Sequence, residues 1–151
     1  MLKIHDLPVN LAVAYKVMYR YSDACCTKHG ITAYQFVLLV LLAEEDGITQ
    51  QMLVERAYSD PNTIRAMLIL LEKKGLVKRE KHLTDGRKRN VIITHKGRRV
   101  YEKALRDSEI IRKRVYSCFS ADELKLLNIF LNRITESLET SDILPHSRKK
   151  K

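Results

Sequence analysis

Only three prolines and five glycines interrupt the 151 residues of this chain. The prolines stand at 8, 61 and 145 and the glycines at 30, 47, 75, 86 and 97. Both residue types disfavour helix interiors, and in the long stretches between them apolar residues recur at helical spacing, which predicts a mainly α chain. Long apolar runs are also missing. The longest, Phe36 to Ala43, is far too short to cross a bilayer, and the first ten residues lack the apolar core of a secretory signal, so a cytoplasmic chain with no membrane partner is expected. Three cysteines, two of them adjacent at Cys25 and Cys26, make no disulfide framework and suit a reducing compartment. Five histidines, at 5, 29, 82, 95 and 146, show no metal-ligand spacing with one another or with acids. There is no glycine-rich phosphate loop and no nucleophile–base set, so neither a cofactor nor an enzymatic activity is expected.

What the chain does have is positive charge in one place. The net charge is +10, and between Asp60 and Lys103 thirteen Lys and Arg face five Asp and Glu, a local excess of +8. The tail Arg148 to Lys151 carries +4, and the remainder sums to −2. A basic centre on an otherwise near-neutral chain points to a polyanionic partner rather than to general solubility.

Helix signals divide the sequence finely. A first helix runs from Pro8 to His29, striped by Leu11, Tyr15, Met18, Ser22 and Cys25, and Gly30 ends it. Thr32 and Gln35 form a capping box for a second helix to about Glu45, whose apolar run Phe36 to Leu42 predicts burial on most sides. Ile48-Thr49 allows a very short strand, and Thr49 then caps a third helix, Gln50 to about Ala57. Asp60-Pro61 opens a fourth, with Ile64, Met67, Leu68 and Leu71 facing inward and Lys73-Lys74-Gly75 at its end. Leu76 to His82 and Asn90 to Thr94 read as two strands joined by a turn at Asp85-Gly86, where glycine accepts a positive φ without steric cost and Asp can hydrogen-bond its own backbone. Thr94 caps a fifth helix to about Cys118, and Ser120 with Glu123 opens a sixth, striped by Leu124, Leu127, Leu131, Ile134 and Leu138.

Two short helices followed at once by a basic hairpin make a winged helix-turn-helix. The segments "ITQQMLVERA" (Ile48 to Ala57), "DPNTI" (Asp60 to Ile64), "LLEKKGLVKR" (Leu70 to Arg79) and "DGRKRNVIITHKG" (Asp85 to Gly97), preceded by Gly30 to Leu42, are similar in order and spacing to the MarR family of bacterial and archaeal transcriptional regulators. The similarity spans about Leu11 to Leu138. It implies a homodimer whose helical dimerisation region comes from both chain ends (1–30 and 98–141), a winged helix-turn-helix DNA-binding region (31–97) and, beyond these, a basic tail (142–151). The fourth helix would be the recognition helix. A helix fits the major groove and reaches base edges with its N-terminal outward residues, which are Asn62, Thr63, Arg65 and Ala66. Arg87 matches the family arginine that enters the minor groove, and Asp85 stands where the family braces that arginine. Lys88, Arg89 and backbone amides near Thr49 and Gln50 would meet phosphates. Ala66 departs from a common family arginine. Ile69-Leu70 departs from a common charged pair and is expected to pack against the wing or the third helix.

The resemblance also implies modulation by a small phenolic or lipophilic effector held between the dimerisation and DNA-binding parts. Tyr15, Tyr19, Tyr34 and Tyr101 are the candidate lining. Some relatives sense peroxide through a cysteine, which makes Cys25 and Cys26 candidate redox thiols, although here they lie near the end of the first helix rather than at its start. Inert burial is the expected state of both. The competing class is a winged-helix protein-interaction or RNA-binding module; the lack of stacking aromatics beside the basic residues argues against sequence-specific RNA recognition.

Overall fold

A computed structural model of the chain describes residues 6–139. Its elements are α1 (Leu7–Thr27), α2 (Ala33–Glu44), α3 (Gln50–Arg56), α4 (Pro61–Lys73), β1 (Val77–Lys81), β2 (Arg89–Ile93), α5 (His95–Tyr116) and α6 (Ala121–Glu139). The expected mainly helical winged helix-turn-helix with one two-stranded hairpin is present, each element ending within about two residues of its expected bounds. The basic tail 142–151 lies outside the described residues. Among those described, no helix is long and apolar enough to cross a membrane.

Side chains three residues apart start the helices. Thr32 and Gln35 cap one another's backbone N–H groups at 3.2 Å each, and Ser120 and Glu123 do the same at 3.3 and 2.7 Å. Asp60 accepts the Thr63 N–H at 2.9 Å and the Thr63 hydroxyl, bonds that hold its carboxyl below the usual carboxylate range.

Two compact units divide the chain within α5, one reaching to Ile111 and the other starting at Arg112. In the first unit α2 packs on α1, α3 and β2, while α4 packs on α3 and β1. Leu38, Leu39, Leu42, Leu53, Ile64, Leu68, Leu71, Val77 and Val91 fill the resulting core and are fully buried. The inward stripe of α4 holds as read, with Met67 only partly covered. The burial expected on most sides of the α2 run Phe36 to Leu42 holds as well, with one exception. On α2, Val37 remains 45% exposed, because its apolar run is wider than the surface its neighbours cover. On α1, Tyr15 and Met18 of the expected stripe are nearly half exposed, and the residue that enters the core is Cys26, with Tyr19 partly buried beside it. Apolar side chains lie on more than one side of α1, and spacing alone does not say which side meets the core.

The hairpin pairs Val77 with Ile93 through Lys81 with Arg89, antiparallel, and the His82 N–H donates to the Lys88 carbonyl at 3.1 Å one step beyond. The short strand expected at Ile48-Thr49 is a single bridge to Asn90, held by the Val91 N–H on the Ile48 carbonyl at 2.9 Å and the Gly47 N–H on the Val91 carbonyl at 3.1 Å. Asp46 adds a clamp. One carboxylate oxygen accepts the Ile93 N–H at 2.9 Å, and the other lies 3.2 Å from the Arg98 guanidinium. The wing is thus anchored to the α2–α3 connection and to the start of α5.

In the second unit a turn at Ser117–Ser120 leads from α5 into α6. No residue of α6 is buried, and Leu126, Ile129, Phe130, Leu131 and Leu138 are exposed. Leu124, Leu127 and Ile134 of the expected stripe are half-buried.

Candidate nucleic-acid interface

The first turn of α4 alternates between core and solvent. Ile64 is buried, while Asn62, Thr63, Arg65 and Ala66 are all exposed. Thr63 presents its methyl, since its hydroxyl donates to Asp60. Farther along the helix, Ile69 is half-buried but Leu70 is 47% exposed, so the expected packing of this apolar pair fails for Leu70. Its position on the α4 surface turns it away from the buried Leu68 and Leu71 that meet the core.

Beside the exposed face of α4 lies an open concavity of about 530 Å³ lined by Gln50, Arg65, Glu72, Arg79 and Arg89. Four elements contribute to it, α3, α4, β1 and β2. Arg79 donates through both Nε and Nη2 to Glu72 Oε2, at 3.0 and 2.5 Å, and this guanidinium holds the Glu72 carboxyl below its usual range. The pair is partly exposed, so its contribution to stability is small. Its effect is positional, because one arginine is held in a fixed orientation by an acid that remains ionised. Arg65 and Arg89 have no ion pair among the described residues, and the concavity keeps a positive excess.

The wing tip places Arg87, Lys88 and Arg89 in solvent. Asp85 organises it and holds Arg87 through the backbone rather than through the guanidinium. Its carboxylate accepts the Arg87 backbone N–H at 3.1 Å and stands 3.7 Å from Lys88 Nζ, while its carbonyl accepts the Lys88 N–H at 2.9 Å. The Asp85 side chain and this i to i+3 bond close the turn without a left-handed residue. Of the two properties that mark this pair as a turn, the Asp85 hydrogen bond is used, and Gly86 does not take a positive φ. Thr49 accepts the Met52 N–H at 3.2 Å as the cap of α3, and Gln50 follows at the edge of the concavity. Nothing local in the sequence marks Glu72, on a helix, and Arg79, on a strand, as partners.

Three of the four tyrosines come together. The Tyr15 and Tyr34 hydroxyls share a hydrogen bond of 2.7 Å, which with partial burial pushes the Tyr15 phenol up to about 12. Ring centroids of Tyr19 and Tyr34 are 4.9 Å apart. Burial, then the neighbouring Asp23, raises Tyr19. Tyr101 instead stacks on Phe36 at 5.9 Å.

The two adjacent cysteines differ. Cys26 is fully buried, and burial pushes its thiol up to about 11, which disfavours the thiolate a redox reaction needs. Cys25 is half-buried with its Sγ 3.6 Å from the Asp107 carbonyl, and the nearby His29 imidazole is engaged at 2.8 Å by the Asp107 carboxylate. Iodoacetamide at neutral pH is expected to alkylate the exposed Cys118 of the folded chain and to leave Cys25 and Cys26 unmodified. Peptide mapping that finds no modification at either thiol ends the redox reading, and native-state modification at Cys25 or Cys26 would contradict their inertness.

Comparison with known proteins bears on this face. The family model described as "MarR family" matches residues 31–88, from the start of α2 through the wing tip. Transcriptional regulator HosA of Escherichia coli is 30% identical over 110 residues, covering 73% of this chain and 79% of that protein. The homoprotocatechuate degradative operon repressor of Escherichia coli is 26% identical over 129 residues, covering 85% and 87%. Among solved structures, a putative MarR family transcriptional regulator from Listeria monocytogenes, complexed with 26mer DNA, superposes with a TM-score of 0.82 at 23% identity, covering 89% of this chain and 90% of that one. CouR from Rhodococcus jostii RHA1, bound to p-coumaroyl-CoA, gives 0.79 at 22% identity, covering 85% and 91%.

Proposed function

The chain belongs to the MarR family of transcriptional regulators, and from that premise we propose that it is a homodimeric, cytoplasmic repressor that reads a pseudo-palindromic DNA duplex with α4 and the wing. The observation that carries the reading is the continuous basic face formed by the exposed first turn of α4, the arginine-lined concavity and the wing tip. Phosphate neutralisation by such a face supplies affinity, and the α4 side chains supply sequence preference. Arg65 pairs bidentately with guanine, Asn62 reads adenine, and Thr63 and Ala66 contact thymine methyls in the major groove. Arg87 enters the minor groove beside it. Lys88, Arg89 and the backbone amides at Thr49 and Gln50 hold phosphates and set the register.

Dimerisation through 1–30 and 98–141 is supported by the apolar side chains that α1 and α6 leave exposed, among them Val9, Val13, Leu126 and Phe130. A surface of that kind on a single chain is what a symmetric partner covers. Two recognition helices about 34 Å apart then meet successive major grooves on one side of the duplex. The Listeria neighbour bound to DNA and the operon repressor among the relatives support DNA reading and repression. CouR with its coumaroyl ligand supports an aromatic or lipophilic effector, for which the Tyr15, Tyr19 and Tyr34 cluster offers a phenolic surface. Such a ligand changes DNA affinity only by the difference in its binding to the two spacings of the recognition helices.

Genomic fragment selection with the purified protein, followed by titration of the enriched duplex against salt, tests the reading. The expected result is a palindromic site whose log affinity falls steeply and linearly with log salt. Equal capture of all fragments, or preferential capture of single-stranded RNA, would overturn it.

A further inference from the structure

Helices α3 and α4 end in the same way. In α4 the Gly75 N–H returns to the Glu72 carbonyl and the Leu76 N–H to the Leu71 carbonyl, both at 2.9 Å, with Gly75 at φ +69°. In α3 the Tyr58 N–H returns to the Glu55 carbonyl and the Ser59 N–H to the Val54 carbonyl, both at 3.2 Å, with Tyr58 at φ +47°. This is the Schellman closure, whose left-handed residue is ordinarily glycine because a Cβ is disfavoured there. Among the described residues Tyr58 is the one non-glycine residue with a positive φ.

The fold gives nothing back for that strain. The Tyr58 side chain is 61% exposed, and among the described residues its hydroxyl has no hydrogen bond and its ring no aromatic or cationic partner. Its place is specific, however. It lies in the turn between α3 and α4, two residues before the cap of the recognition helix. When the first turn of α4 enters a major groove, the turn that precedes it crosses the groove edge, where the phosphates stand. The nearby Asp60 carboxylate is drawn into the α4 cap by the Thr63 amide and hydroxyl, and the exposed Tyr58 phenol offers a donor in the same turn.

We propose that Tyr58 is a DNA-backbone contact whose phenol O–H donates to a phosphate oxygen bordering the groove that α4 enters, with its ring against the adjoining deoxyribose. The inference rests on the DNA reading proposed above and adds to it a residue outside both α4 and the wing. Strain concentrated at a binding surface, unrewarded in the free protein, is the expected mark of such a residue. Because the phenol is neutral, it displaces no counterion. Its removal lowers affinity without changing the salt dependence, unlike removal of a lysine or arginine.

The test uses the full chain and the duplex enriched by fragment selection. Tyr58→Gly, which restores the residue this backbone prefers, is expected to melt no lower than the wild type and to bind the duplex about tenfold more weakly with an unchanged salt slope. Tyr58→Phe, which keeps ring and strain but removes the donor, is expected to fall between them. Wild-type affinity in Tyr58→Gly would overturn the inference while leaving the DNA reading intact. So would a flattened salt slope, which would mean that cationic contacts had moved. A wild-type protein that binds no duplex would overturn the reading itself, and this contact with it.

Discussion

Gly97→Ala is expected to lower the stability of the folded chain by about 3 kcal/mol, although the same substitution in an open helix raises it by about 1. The sign reverses because α5 begins hard against the start of β1. A Cβ on Gly97 would lie 2.1 Å from the Leu76 carbonyl oxygen and 2.9 Å from Ile93 Cγ1. The oxygen cannot step aside, since it accepts the Thr94 N–H at 3.0 Å. Thr94 also donates its hydroxyl to the Gly75 carbonyl at 2.7 Å and accepts the Gly97 N–H at 3.0 Å as the cap of α5. Relieving the clash therefore means lifting the first turn of α5 away from the wing and loosening the Thr94 bonds together. Urea denaturation measures the effect. Gly86→Ala serves as the control, because nothing lies within 4 Å of a Cβ there, and it should fall within about 0.5 kcal/mol of wild type. A Gly97→Ala protein as stable as its parent would show that the approach of α5 to Leu76 is not a constraint.

Arg87→Ala is expected to weaken duplex binding about hundredfold and to leave the melting temperature unchanged. The guanidinium is exposed, and among the described residues it has no ion pair, so the fold does not depend on it. In the proposed dimer two wings act on one duplex, and about tenfold for each multiplies to about hundredfold. The slope of log affinity against log salt should fall by about 0.9 for each wing. Asp85→Ala should act indirectly, through a turn that has lost the carboxylate holding the Arg87 amide. Unchanged Arg87→Ala affinity at physiological salt would remove the wing from the interface.

What was legible in the sequence is what short-range chemistry encodes. The caps at Thr32, Asp60, Thr94 and Ser120 each join groups three residues apart, so the pattern of residue types is already the structure. The α4 stripe was legible for a related reason, since Ile64, Leu68 and Leu71 recur at the three- and four-residue spacing of one helix face. The basic hairpin was visible as charge flanked by β-branched residues. Its turn was announced by the DG pair, which does not specify the hydrogen bonds that close it.

By itself, then, the sequence determined the order of helices and wing, the positions of their caps and the concentration of positive charge on the winged helix, because each depends on near neighbours or on composition. Tertiary structure alone decided that Cys26 rather than Tyr15 or Met18 of α1 enters the core, and that Arg79 is held by Glu72. It also decided that Asp46 ties the wing to α5, that Gly97 has no room for a methyl group, and that Tyr58 carries the strained backbone between α3 and α4. The physical reason is common to all of these. Each depends on which surfaces meet when separate elements pack, and a residue carries no local mark of a neighbour that only the fold brings to it.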